Sequence, residues 1–202
     1  VSAHNRAPHI FKGEKRMRTG ADEHNTEDKK YWCEKYGVEH ETIFCDLMTN
    51  VLKLPTIINP EKTTNRYAPD LLVNDHLADL KFVGTPFYTS ARISNINPQY
   101  CVTFDHKDYI RYKTLYPDIY VFFWVKYPDS TGHYSEEVVN IKAMNHVFFV
   151  PFSRLQSYIE NEGVKYHEYN RRKDDTDGNA RGAYLFDVRS FRCLYQGTDV
   201  KV

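Results

Sequence analysis

The sequence predicts an α/β domain, and three patterns carry that expectation. Apolar residues recur at helical spacing between Val38 and Lys53, two apolar stretches flank a turn between Leu71 and Val83, and an almost continuous apolar run extends from Ile119 to Tyr127. At 202 residues the chain suits one domain, or one domain with an arm, and is long enough to bury a substantial core. Hydrophobic content of 41% and charged content of 27% are ordinary for a soluble globular protein.

Residues 1 to 26 are polar, carry Lys12, Lys15, Arg16 and Arg18 close together and show no apolar period, so they read as a basic arm ahead of a single domain over 27–202. Thr26 is placed to cap a short helix through Tyr36, with Gly37 as its stop. The next helix, Val38 to Lys53, is the clearest in the chain: Phe44, Leu47, Met48, Val51 and Leu52 make its apolar stripe and Pro55 ends the pattern. Glu41 precedes Phe44 by three residues and so lies on the inward face. A carboxylate there either profits from the helix dipole in the first turn or faces the following strands as a ligand or water-holding group. Glu34 is the alternative candidate, and Glu39 reads as solvated.

Leu71 to Val73 and Leu77 to Val83 read as strands bounded by the turn formers Asn74 and Asp75, which makes a hairpin. An even loop centred on Asn74 and Asp75 pairs Val73 with His76, Leu72 with Leu77 and Leu71 with Ala78, so that Asp70 falls opposite Asp79. Lys81 shares the Asp79 face, while Leu71, Val73, Ala78, Leu80 and Phe82 point the other way, into a core. Like charges directly opposite on a sheet repel, with Cβ atoms about 4.5 to 5.5 Å apart. A divalent cation is an economical compensation, since Mg²⁺ takes oxygen ligands from one or two carboxylates and leaves the rest of its shell to water and substrate phosphate. An ammonium beside such an ion can orient water and offset charge on phosphate oxygens. The bland reading makes Pro69-Asp70 a turn and Lys81 a solvated strand residue.

Gly84 to Gln99 reads as an irregular segment whose Arg92, Asn95 and Asn97 are of the kinds that read base edges. Asp105 to Leu115 reads as a helix closing before Pro117, with Lys107, Arg111 and Lys113 available for phosphates. Ile119 to Tyr127 is expected as a central strand covered on both faces. Val138 to Ile141 and Val147 to Val150 add short strands, Phe152 to Asn161 a helix, and Tyr184 to Val188 a last strand that Phe191 to Tyr195 extends or follows. Asp175-Thr-Asp-Gly178 lacks the later acidic ligand of a calcium loop.

Formal net charge is zero, so nucleic-acid binding would depend on local basic patches. The four cysteines, Cys33, Cys45, Cys101 and Cys193, form no Cys-x-x-Cys pair or disulfide framework, which favours a reducing, cytoplasmic setting. No stretch approaches the length of a membrane helix, and the start of the chain carries no apolar signal core.

The order helix with Glu41, hairpin with Pro69-Asp70 and Asp79-Leu80-Lys81, helix, central strand resembles the PD-(D/E)xK nuclease superfamily over about residues 38–127, with 138–195 as additional strands and a helix. The resemblance implies a restriction-endonuclease-like core, a mixed central β-sheet flanked by helices, with Mg²⁺-dependent hydrolysis of nucleic acid in which Mn²⁺ substitutes. It implies Asp70 and Asp79 as metal ligands, the Leu80 backbone carbonyl as a further ligand, Lys81 as the catalytic lysine and Glu41 as the helix carboxylate. The gap between Asp70 and Asp79 is short for this family. The expected function is a DNA endonuclease of restriction, resolvase, phage or repair type, with no membrane partner and with a homodimer as one arrangement open to it. An RNA endonuclease with the same site is the close alternative. A non-catalytic nucleic-acid-binding module on the same fold has no reason to keep Asp70, Asp79 and Lys81 together. Cys33, His40 and Cys45 match no standard zinc spacing, and a glycosidase using Asp70 and Asp79 leaves Lys81 without a role.

Overall fold

Helix α1 covers residues 37–46 of a computed structural model that describes residues 37–65, 67–134, 137–169 and 182–198. The expected arm, the helix through Tyr36, Cys33, Glu34 and the Asp175 loop lie outside the described residues. Phe44 and Met48 are fully buried at i, i+4 spacing, as an amphipathic helix requires. The helix then widens into a π-helical turn, Leu47–Val51, closed by Leu52 N–H on the Leu47 carbonyl at 3.2 Å. That extra residue rotates the stripe. Val51, expected inward, is 56% exposed.

The strands that follow are β1 (Thr56–Ile58), β2 (Leu71–Val73) and β3 (His76–Val83). The β2–β3 register is the expected one: Val73 with His76, Leu72 with Leu77, Leu71 with Ala78. Its turn residues Asn74 and Asp75 have φ of 48° and 64°, both left-handed, the pairing a two-residue type I′ hairpin needs. Residues expected as an irregular segment include a short helix α2 (Ser90–Ser94) and a 3₁₀ turn (Pro98–Tyr100), and they lead into an unanticipated strand, β4 (Cys101–Asp105). Its interspersed Thr103 and Asp105 hid the apolar alternation of a half-covered strand.

Helix α3 (His106–Leu115) and strand β5 (Tyr120–Tyr127) fall where the sequence placed them. They are followed by β6 (Ser130–Tyr134), β7 (Glu137–Ile141), β8 (Met144–Pro151), α4 (Phe152–Asn161), β9 (Tyr166–Glu168), β10 (Gly182–Asp187) and β11 (Arg192–Gln196).

Six strands form the central sheet in the order β1-β2-β3-β5-β8-β11. Only β3 and β5 run parallel, so the sheet is mixed. A second sheet, β4-β10-β9, and the β6-β7 ribbon stand apart from it. The Val138 to Ile141 strand therefore belongs to the ribbon. Phe191 to Tyr195 does not extend β10: a 3₁₀ turn, Val188–Ser190, separates them, and β11 pairs with β8 in the other sheet.

Alternation along β5 divides the core in two. Val121, Phe123, Val125 and Tyr127 pack with Tyr109 and Tyr112 of α3, Phe152 and Leu155 of α4, and Val102, Phe104 and Phe186 of the second sheet. Phe122 and Trp124 pack on the opposite face with Phe44 and Met48 of α1 and with Leu71, Val73, Ala78 and Leu80 of the hairpin. Each of the Val, Leu, Phe and Met side chains contributes about 1.5–3 kcal/mol when fully buried. The domain is thus α/β with a mixed six-stranded sheet between α1 on one side and α3 and α4 on the other.

Candidate functional site

The hairpin ladder ends at Leu71 and Ala78, and the residues just beyond carry the chemistry. Asp70 leaves the strand as a bend, and its Oδ2 accepts the Leu80 N–H at 3.1 Å, replacing the next ladder bond with a carboxylate. The Leu80 N–H points toward Asp70, and its carbonyl leaves the same side of the strand. On its other side β3 pairs in parallel with β5, Asp79 beside Val121 and Lys81 beside Phe123. Asp79 and Lys81 share the face toward α3, while Ala78 and Leu80 are buried on the α1 face.

Asp79 is 3% exposed. Its Oδ1 accepts a short hydrogen bond from the Tyr112 hydroxyl, and its Oδ2 lies 2.7 Å from Lys81 Nζ without hydrogen-bond geometry. The Lys81 ammonium also donates to Asp108 Oδ2, and Arg111 donates to Asp108 Oδ1 at 2.8 Å and to the Tyr112 hydroxyl at 3.0 Å. Asp108 and Tyr112 stand one helical turn apart on α3, which aims both at β3. In the sequence the basic residues of that helix stand out as candidates, and Asp108 and Tyr112 do not. A detectable signal was present: Asp108 and Tyr112 share the inward face, the same argument that singled out Glu41.

A second group adjoins the first. Asp70 Oδ1 accepts from Lys62 Nζ at 2.7 Å, and Lys62 also donates to Glu41 Oε1 at 2.5 Å. Lys62 comes from a 3₁₀ turn, Pro60–Thr63, capped by Asn59. The sequence carried no signal for it, since it sits in a polar turn among ordinary surface residues.

The charges act on one another through a half-dry interior. Burial and the nearby Asp79 charge push the Asp70 carboxyl up to about 7, against the opposing pull of Lys81 and Lys62. Burial pushes Asp79 up as well, but the Lys81 ammonium and the hydrogen bond from Tyr112 outweigh it, and its carboxyl is held below the ordinary range. For Lys81 burial opposes the charge, and Asp79, Tyr112 and Asp108 reverse that, leaving the ammonium well above the ordinary lysine range. Burial likewise pushes the Tyr112 phenol far up, so it remains a donor.

The structure therefore brings Asp70, Asp79, the Leu80 backbone and Lys81 together, and it ties Glu41 to them through Lys62. Among the described residues no three His, Cys, Asp or Glu side chains form a ready-made metal cage. What remains is a carboxylate pair, which suffices for an ion that keeps most of its shell for water. The buried Asp79 Oδ2, ion-paired with Lys81 at 2.7 Å but without a hydrogen bond, and the Leu80 carbonyl side are the groups beside Asp70 that would meet such an ion. His40 stacks on Phe82 with ring centroids 3.8 Å apart, and Cys45 is a free thiol pushed up to about 11 by burial and the charges of Glu41 and Asp46.

The residues expected to meet nucleic acid are scattered in their circumstances. Arg92 and Lys107 are exposed. Asn95 caps α2 in a left-handed conformation with φ 60°, and Asn97 accepts the Gln99 N–H at 2.9 Å. Arg111 is committed to Asp108, and Lys113 pairs with Glu160 at 2.7 Å. Two shallow hollows flank the hairpin tip around Asp75, and neither contains a member of the carboxylate–lysine cluster. Among the described residues no helix is long and apolar enough to cross a membrane. No protein-family model, curated protein or solved structure matches this chain.

Proposed function

We propose that this protein is a divalent-metal-dependent endonuclease that hydrolyses phosphodiester bonds, with DNA as its substrate. The observation that carries the reading is the meeting of Asp70 and Asp79 beside a charged Lys81, whose Nζ lies 2.7 Å from Asp79 Oδ2, with Asp70 raised to about 7 by burial and by the Asp79 charge. The chain order supports it. Helix α1, the antiparallel strands β1–β3 and, after α2 and β4, helix α3 and strand β5 parallel to β3 keep the order of helix, hairpin, helix and central strand on which the PD-(D/E)xK resemblance rests.

In this reading Asp70, Asp79 and the Leu80 carbonyl hold Mg²⁺, or Mn²⁺ in its place. The ion when bound supplies Lewis acidity toward the phosphate and lowers the pKa of water. The remaining work falls to the chain. Lys81 is too firmly protonated to take a proton, so it acts as a fixed positive charge beside the phosphate oxygens as negative charge grows on them. Asp108, with Arg111 behind it, positions that ammonium, and Tyr112 orients the Asp79 carboxylate.

Plasmid DNA, single-stranded DNA and RNA, each incubated with Mg²⁺, Mn²⁺ or EDTA, provide the test. DNA cutting that needs metal and falls by at least about a hundredfold in Asp79→Ala and Lys81→Ala is expected. Absence of cutting on all three, or variants as active as the parent, overturns the reading. Cutting of RNA alone moves the substrate to RNA, and metal-independent binding without cutting points to a recognition module.

A further inference from the structure

We infer that Lys62 is a built-in counter-cation that fills the position between Glu41 and Asp70, so that the site takes a single divalent ion, on the Asp70–Asp79 side, and Glu41 is not a metal ligand. This rests on the metal-binding reading above and goes further, to the number of ions and the role of the helix carboxylate.

The geometry is direct. Lys62 Nζ lies 2.5 Å from Glu41 Oε1 and 2.7 Å from Asp70 Oδ1. A Mg²⁺ bridging the same two oxygens at about 2.0–2.1 Å would occupy nearly the same point as the ammonium. Both cannot be present.

Lys62 is held there by more than its own flexible stem. Asn59, 4% exposed, caps the turn that carries Lys62 by accepting the Glu61 N–H at 3.1 Å. The same side chain donates to the Pro69 carbonyl at 2.9 Å, and the Asn59 N–H donates to the Asp70 carbonyl at 2.9 Å. One buried residue thus fixes the lysine turn to the backbone of the carboxylate that the lysine serves. A solvated surface lysine has no such anchorage.

The charge balance agrees. Glu41, Asp70, Asp79 and Asp108 face Lys62, Lys81 and Arg111, four carboxylates against three cations, which leaves one net negative charge. One divalent ion reverses this to one net positive charge, matched to a phosphodiester anion. A second, in place of Lys62, would bring the cluster to two net positive charges, one more than a phosphodiester anion offsets.

The test counts Mn²⁺ ions by calorimetry and by electron paramagnetic resonance on the folded protein, with circular dichroism as the check on folding. One ion is expected for the parent and for Glu41→Gln. Lys62→Met is expected to bind two, and to return to one when combined with Glu41→Gln. A parent that binds two ions and loses one in Glu41→Gln overturns the inference, as does a folded Lys62→Met that still binds one. Should Lys62→Met fail to fold, the parent and Glu41→Gln decide it between them. If the parent binds no Mn²⁺ at all, the metal reading itself falls and the inference with it, a result distinct from a wrong count.

Discussion

Asp70 is the residue on which the two charged groups meet, and its titration is the most accessible consequence. Its carboxyl sits at about 7, above the ordinary 3.8, because burial and the neighbouring Asp79 charge disfavour ionisation. Between those values the folded protein holds a proton that the unfolded chain has released. Two results follow from that sign. Folding stability contributed by this group falls as pH rises from about 4 to about 7. Metal affinity moves the other way, since an ion must displace the proton. Calorimetry should find Mn²⁺ binding at least about tenfold tighter near pH 8 than near pH 6, with proton release at the lower pH, and Asp70→Asn should lose both the affinity and its pH dependence. A flat profile in the parent would contradict the placement of Asp70.

At the scale of elements, the hairpin does most of the positioning. Its two-residue turn sets which residues of β3 face α3, and a slip of one residue would send Asp79 and Lys81 to the α1 side. The turn holds Asn74 and Asp75 at positive φ, where Asp is tolerated and Gly is at ease. Asp75→Gly is therefore expected to stabilise the fold by less than about 1 kcal/mol, read as a slightly higher urea midpoint, without altering metal binding. Helix α3 supplies the other half of the arrangement. Its inward face carries Tyr109 and Tyr112 into the core and buries Asp108 beside them, so the packing that anchors the helix also sets the distance between Lys81 and Asp108. The π-helical turn after α1 has no counterpart in the sequence pattern, which at 3.6 residues per turn places Val51 inward.

For the molecule as a whole, stability rests on β5, whose two faces serve separate cores. Phe123, wholly buried, packs 5.4 Å from Phe191 in the core shared by both sheets. Phe123→Ala should cost about 3–5 kcal/mol, read as a lower denaturant midpoint, and should disturb the site because β5 pairs with Lys81 at that residue. The long apolar run announced this strand from sequence alone. The division of the remaining strands between two sheets was not announced. β10 and β11 look alike as short apolar stretches, yet one joins β4 and the other β8, a choice settled by partners far away in the chain.

The sequence alone determined the α/β class, the helices α3 and α4, the central strand, the hairpin register and the placement of Asp79 and Lys81 on one face. Those features follow from periods of 2 and 3.6 residues and from turn chemistry, all readable within a dozen neighbouring positions. Only the tertiary structure decided that Lys62 meets Glu41, 21 residues away, and that Lys81 meets Asp108, 27 residues away. It likewise decided that Asn59 ties the lysine turn to Pro69 and that Tyr112 reaches Asp79 across 33 residues. Local pattern cannot contain such pairings, because a polar residue in a turn or on a helix reads the same whether its partner is water or a buried carboxylate, and the fold alone supplies the partner.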